Sequence, residues 1–260
     1  MKIMNDTNIE DKIKQAARLI KNSKHTTAFT GSGISVESGI PPFRGKGGLW
    51  TKYDPTLFEI NYFRAHPKES WAITKEIFFG SSQTTKPKPN DAHKGIVELE
   101  KMGYVKAVIT QNVDNLHHEA GSKNVFEFHG TGRTLSCLTC KSVYETETIS
   151  LETVPPQCPT CMGVLKPDFI YFGEPIPKEA MMPSFYEAQV ADVFLVVGTT
   201  GEVMPACQVP IQAKENGAKI IEINIEPSNF THGVTDIFLQ GKATEMMNLL
   251  VEEIKKPDDQ

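Results

Sequence analysis

The chain has 260 residues, 39% of them hydrophobic and 23% charged, the balance of an ordinary globular protein with room for one large domain and a smaller one. Its formal charge of −5 leaves no overall basic footprint, which argues against direct nucleic-acid binding. No apolar run approaches the roughly 20 residues of a membrane span, and "MKIMNDTNIEDK" lacks the basic start and apolar core of a secretory signal, so the expectation is a soluble, cytoplasmic protein away from membranes.

In chain order, residues 7–21 read as a helix, with Ile9, Ile13, Ala17 and Ile20 on one face and a Thr7/Glu10 capping box at its start. Residues 25–29 form a strand that runs into "TGSGISVESGIPPFRG" (30–45). Gly31 and Gly33 supply the first two glycines of a dinucleotide-binding turn, but the third would stand at position 36, which is Val36. The ribose-binding acid of a hydride-transferring enzyme is also missing from its usual place, since Asp54 sits in "KYDPT" rather than at a strand end. Residues 35–55 show no period and read as a long functional loop. Its aromatic Phe43 and cation Arg44 suit a cofactor whose nicotinamide–ribose bond breaks, one shielding a cationic ribosyl centre and the other holding the loop or a phosphate.

Residues 67–79 look helical, "SSQTTKPKPN" is a polar connector, and Ala92, Ile96 and Leu99 mark a helix ended by Gly103. Strand 104–110 leads into "QNVDNLHH", and strand 124–128 leads into His129-Gly130. "PDFIYF" (167–172) resumes strand character. Strands 192–198 and 218–224 flank a helical 203–216. Such alternation predicts an α/β fold, a Rossmann-like doubly wound parallel sheet with ligands at the strand C-termini. His117 and His118 are read as packing or loop residues, and Cys207 as a small buried hydrophobe.

Cys137-x-x-Cys140 and Cys158-x-x-Cys161, separated by seventeen residues, have zinc-ribbon spacing. Four thiolates complete a tetrahedron and leave no position for water, so the Zn2+ is expected to be structural and a zinc hydrolase is disfavoured. Metal binding would supply on the order of 10 kcal/mol toward ordering an insert with little apolar content of its own.

"GSGISVESGIPPFRG", "TQNVDNLHHEAG", "FEFHG", the paired CxxC motifs, "KPDFIYFGEPIP", "VVGTTGEVMPA" and "INIEP" resemble, in order, the signature blocks of the sirtuin family of NAD-dependent protein lysine deacylases, over about residues 20–250. Ser32 replaces the usual Ala of the first block, and Pro42 stands where Asp is common. The resemblance implies that His129 is the general base, acting on the ribose hydroxyls after the acyl oxygen has displaced nicotinamide. It implies an NAD site made of Gly31, Ser32, Gly33, Val36, Phe43 and Arg44, with Gln111 on the nicotinamide ribose and Asn112, Val113 and Asp114 on the nicotinamide side, Asp114 accepting from the carboxamide. Gly198, Thr199, Thr200, Asn224 and Glu226 would hold the adenine-side ribose, Lys242 would also bind the cofactor, and Ile170, Phe172, Gly173 and Glu174 would pair with the substrate peptide backbone by strand addition.

Similarity to family members that remove malonyl or succinyl groups puts Thr74 and Ile77 where those carry a Tyr and an Arg, implying a neutral acyl group here. The expected organisation is one catalytic domain over 1–260, its large part at about 7–45, 87–132 and 166–255 and its small, zinc-bearing part from inserts at about 46–86 and 133–165. The expected activity is NAD-dependent deacetylation of acetylated-lysine proteins or peptides, giving nicotinamide and O-acetyl-ADP-ribose. The alternatives are mono-ADP-ribosyl transfer and a non-catalytic NAD-sensing module.

Overall fold

Two runs without an exposed residue, β1 (Thr26–Thr30) and the later Val193–Val197, belong where both faces of a sheet are covered. In the computed structural model, which describes residues 9–45, 47–80 and 86–257, they are the paired central strands of a six-stranded, all-parallel sheet. The strands in chain order are β1, β2 (Val105–Thr110), β3 (Val125–Glu127), β4 (Gly130–Cys137), β5 (Val143–Glu145), β6 (Leu165–Phe169), β7 (Val193–Val197), β8 (Lys219–Asn224) and β9 (Ile237–Gln240). The α-helices are α1 (Ile9–Asn22), α2 (Ile60–Ala65), α3 (Pro67–Phe78), α4 (Asp91–Lys101), α5 (Leu116–Ala120), α6 (Lys178–Val190), α7 (Gln208–Glu215) and α8 (Ala243–Lys255). Thr7 of the expected capping box and residues 81–85 of the polar connector lie outside the described residues.

The large sheet has the order β3-β2-β1-β7-β8-β9. The chain builds outward from β1 through β2 and β3, then returns to β7 on the other side of β1 and builds outward again. That reversal between β1 and β7 is the switch point at which open α/β sheets take ligands. Alternate strand residues feed opposite faces: Ala28, Val108 and Leu195 pack with α1, α4 and α8, while Phe29, Ile109 and Phe194 pack with α6 and α7. Helix α1 buries Ile13, Ala16, Ala17 and Ile20, close to the face read from the sequence. Asn90 starts α4 by accepting from the backbone N–H of Ala92 and His93.

A second, antiparallel sheet has the order β5-β4-β6. It packs with α2 and α3 around Phe58, Phe63, Trp71, Leu135 and Leu165. Strand β6 belongs to this sheet and not to the parallel one. The small sheet therefore starts at Gly130 and ends at Phe169, wider than the 133–165 insert and overlapping the point at which the sequence resumed the large part. Residues 170–172, read as more strand, run on past β6 as a bridged segment: Phe172 N–H donates to Phe58 O (2.8 Å) and Ile60 N–H to Phe172 O (3.0 Å). No described helix is long and apolar enough to cross a membrane.

Candidate active site

Strand β1 ends at Thr30, and the next residues cross to the loop after β7: Gly31 N–H donates to Val197 O (3.0 Å) and Gly33 N–H to Gly198 O (2.8 Å). Glycine is required at 33, where a Cβ would lie 2.6 Å from the Gly198 Cα. Residues Ser32–Ser38 then wind as a 3-10 helix ended by Gly39 at φ +89°. A third fingerprint glycine would serve to pack an α-helix closely on the sheet, and here no α-helix follows. Val36 instead stands 42% exposed on a cavity wall.

That cavity, of about 600 Å³, lies between the C-terminal edge of the parallel sheet and the small sheet. It gathers the residues expected at the site from eight separate segments: Gly31, Ser32, Gly33 and Val36; Phe43 and Arg44; Gln111, Asn112 and Val113; His129; Ile170, Phe172, Gly173 and Glu174; Gly198, Thr199 and Thr200; Asn224 and Glu226; and Lys242. Its wall is cross-braced. Gln111 Nε2 donates to Thr199 Oγ1 (3.0 Å), Asn224 Nδ2 to Thr199 O (2.9 Å), and Asn112 Nδ2 to Gly31 O (3.2 Å). Arg44 Nε pairs with Glu202 (2.9 Å).

Asp114 is the exception. It does not reach the wall; its carboxylate accepts from Ser35 Oγ (2.6 Å) and from Leu116 N–H (3.0 Å), tying the glycine loop to the start of α5. Burial pushes its pKa up, and these two hydrogen bonds work against that shift.

His129 follows β3 by two residues, and its Nδ1 lies 3.1 Å from Gln111 O. A carbonyl only accepts, so the ring proton sits on Nδ1 and Nε2 keeps its lone pair. Burial lowers the pKa of this imidazole to about 4, so the ring is neutral near pH 7.

His117 is buried, as a packing residue would be, with Nε2 2.9 Å from Thr30 Oγ1. Since the Thr30 hydroxyl donates to Thr110, that Nε2 carries the proton, and its buried Nδ1 has no partner. His93 packs edge-on against it (4.9 Å), and its Nδ1 donates to Asn90 Oδ1 (3.0 Å). Cys207 is buried, as expected of a small hydrophobe.

The apolar part of the wall was not legible in the sequence. Trp50, Phe58, Phe78 and Phe169 come from four separate elements, and ring contacts at 4.9 to 6.3 Å join them with Phe43. Thr74, placed at an acyl-facing position by similarity, is instead buried against Tyr171, with Oγ1 3.0 Å from the phenol oxygen. Ile77 packs into the small-sheet core, and Phe78 is the α3 residue on the wall.

The four cysteines converge. Their sulfurs lie within 4.8 Å of one another, with Cys137–Cys161 at 3.5 Å and Cys140–Cys158 at 3.6 Å. Zn–S bonds of about 2.3 Å in a tetrahedron require sulfurs roughly 3.8 Å apart, so the set fits zinc. Each CxxC turn ends alike, with Lys141 (φ 65°) and Met162 (φ 61°) left-handed and their N–H groups donating to Cys137 O (3.1 Å) and Cys158 O (2.9 Å).

Residues 31–205 match the model of the Sir2 family. The chain is 46% identical over 244 residues to NAD-dependent protein deacylase 2 of Pyrobaculum aerophilum, covering 92% of this chain and 95% of that protein. It is 42% identical over 247 residues to the NAD-dependent protein deacetylase of Caldivirga maquilingensis, covering 93% of each. Among solved structures, a Sir2 protein carrying a His-to-Ala change, with a deacetylated p53 peptide and 3′-O-acetyl ADP ribose, superposes with a TM-score of 0.87 at 32% identity, covering 93% of this chain and 98% of that one.

Proposed function

The chain belongs to the Sir2 family, and from that premise we propose how its own residues carry out the reaction. It is an NAD-dependent protein lysine deacylase, and with an acetyl group it gives O-acetyl-ADP-ribose. NAD is a co-substrate, which when bound supplies a ribose carbon that nicotinamide can leave. The Gly31, Ser32 and Gly33 backbone receives the pyrophosphate, and Val36, Phe43 and Arg44 close over the near half. Gln111 holds the nicotinamide ribose, with Asn112, Val113 and Asp114 on the nicotinamide side, Asp114 accepting from the carboxamide while Ser35 braces it. Gly198, Thr199, Thr200, Asn224, Glu226 and Lys242 hold the adenosine.

His129 is the general base, and one observation carries this assignment. The hydrogen bond from Nδ1 to Gln111 O fixes the tautomer and leaves Nε2 free to accept a ribose hydroxyl proton. The lowered pKa keeps that lone pair available at neutral pH. Acetylated-lysine peptides dock along Ile170, Phe172, Gly173 and Glu174, and the acyl chain meets the aromatic wall.

The four cysteines hold Zn2+ away from the chemistry, as a closed coordination set must. Reduced thiolate ligands suit a reducing compartment, which supports the cytoplasm. The catalytic unit has two parts with the cavity between them.

Mass spectrometry of the chain incubated with NAD and an acetyl-lysine peptide tests this reading. The expected products are nicotinamide, free lysine peptide and O-acetyl-ADP-ribose. A peptide that gains ADP-ribose would make the chain a transferase to protein, and absence of nicotinamide would make it an NAD sensor.

A further inference from the structure

Lys166, on β6, is buried, with its side chain 8% exposed, and no step of the reaction uses it. Long cations are almost never buried without partners. Its ammonium has three donors and meets three acceptors: Pro167 O (2.6 Å), Phe169 O (2.9 Å) and the Glu174 carboxylate (3.0 Å). The Tyr171 ring covers it at 4.9 Å. Every one of these partners lies within 167–174, the stretch that turns from β6 onto the cavity wall.

Glu174 in turn closes the end of that stretch. Its Oε2 accepts from Tyr171 N–H (2.9 Å), and its own N–H donates to Tyr171 O (3.0 Å), across Gly173 at φ +88°. The backbone of 170–174 is therefore wound around one carboxylate, and that carboxylate is held by one buried ammonium. Take the ammonium away, and the Pro167 and Phe169 carbonyls lose this donor while the Glu174 carboxylate keeps only the Tyr171 N–H. Burial lowers the Lys166 pKa, and the Glu174 carboxylate opposes that shift. A buried ion pair is a poor device for stability alone, since a well-packed apolar side chain often does as well or better. Its use is to fix a geometry.

We propose that Lys166 is a positioning residue for substrate, setting the backbone of 170–174 on which the acyl-lysine peptide docks. This rests on the reading of that segment as the peptide edge. Lys166 does not itself line the cavity, and it acts through Phe169 and Glu174, which do.

The test measures binding of a fluorescent acetyl-lysine peptide and, separately, of ADP-ribose to the zinc-loaded wild-type protein and to Lys166→Met, Lys166→Gln and Lys166→Arg. Lys166→Met should weaken the peptide by about tenfold or more, the worth of one lost charged hydrogen bond. ADP-ribose binding should stay within about twofold, since no adenosine-side residue touches this cluster. Lys166→Arg should recover much of the peptide affinity. Unchanged peptide binding in Lys166→Met, or parallel loss of both ligands, overturns the proposal. If Lys166→Met does not fold, Lys166→Gln is read by the same criteria, and failure of both to fold assigns Lys166 to stability alone. A wild-type protein that binds no acetyl-lysine peptide would instead overturn the reading of 170–174.

Discussion

Acidification should destabilise this protein through buried histidines, and His93 allows the size to be worked out. It is fully buried, and burial lowers its pKa from 6.5 to about 4. Between those values the unfolded chain binds a proton that the native state does not. Stability from this residue is therefore complete above pH 6.5, declines as pH falls through it, and levels off near 4. From pH 7.5 to 5.5 the unfolded imidazole goes from mostly neutral to mostly charged while the native one stays neutral, which costs about 1.3 kcal/mol. His117, held well below its ordinary value by burial, acts in the same direction, because its unpartnered Nδ1 offers no acceptor for a second ring proton. Urea unfolding at the two pH values, compared between wild type and His93→Asn, isolates the effect, since proton competition at the cysteines is common to both proteins. The variant should lose about 1.3 kcal/mol of pH dependence. An equal pH dependence in the two proteins would refute a neutral, desolvated His93.

Cys140→Ala should abolish stoichiometric zinc and lower the melting temperature and the activity together, because the small sheet carries one side of the cavity; a metal-free variant with full activity and unchanged melting would contradict the structural role, with metal content and calorimetry as the readouts. Acetyl-lysine should be preferred over succinyl-lysine in kcat/KM, because a carboxylate would be buried among Phe58, Phe78 and Phe169, and the wall cations among the described residues already face carboxylates, Arg44 with Glu202 and Lys242 with Glu37. A succinyl preference in competition assays on one peptide would show that a cation reaches the acyl end. Gly33→Ala should weaken ADP-ribose binding by about tenfold or more, since its Cβ would meet the Gly198 backbone at 2.6 Å and one of the two loops must shift; affinity equal to wild type by calorimetry would show that the two loops can part at little cost.

The parallel sheet was legible because its strands are apolar on both faces, as in "VFLVV" and "KIIEI", and such runs separated by helical stretches admit few arrangements. The cavity wall was legible wherever a residue follows a strand end, as His129 and Gly198 do. Other features escaped. Strand β6 looks like any other strand in the sequence, and only its pairing with β4 assigns it to the small sheet. Helix α6 hides its pattern, because Met182 and Tyr186 are exposed at positions four apart and Pro183 interrupts it; β9 and α8 were likewise not anticipated. The place of Asp114 on the nicotinamide side comes from the family resemblance, while its bond to Ser35 is a contact between distant segments that the sequence does not signal. The aromatic wall and the Lys166 cluster depend on contacts between distant segments, for which a single sequence carries no signal.

His129→Ala most directly tests the central claim that Nε2, freed by the bond from Nδ1 to Gln111 O, is the base of an NAD-dependent deacylation. The variant should bind ADP-ribose like wild type, because no adenosine-side contact involves the imidazole. Its rate of acetyl-lysine peptide deacetylation should fall by about 10²–10⁴-fold, as general-base removal does. Deacetylation by His129→Ala at a near wild-type rate would contradict the account.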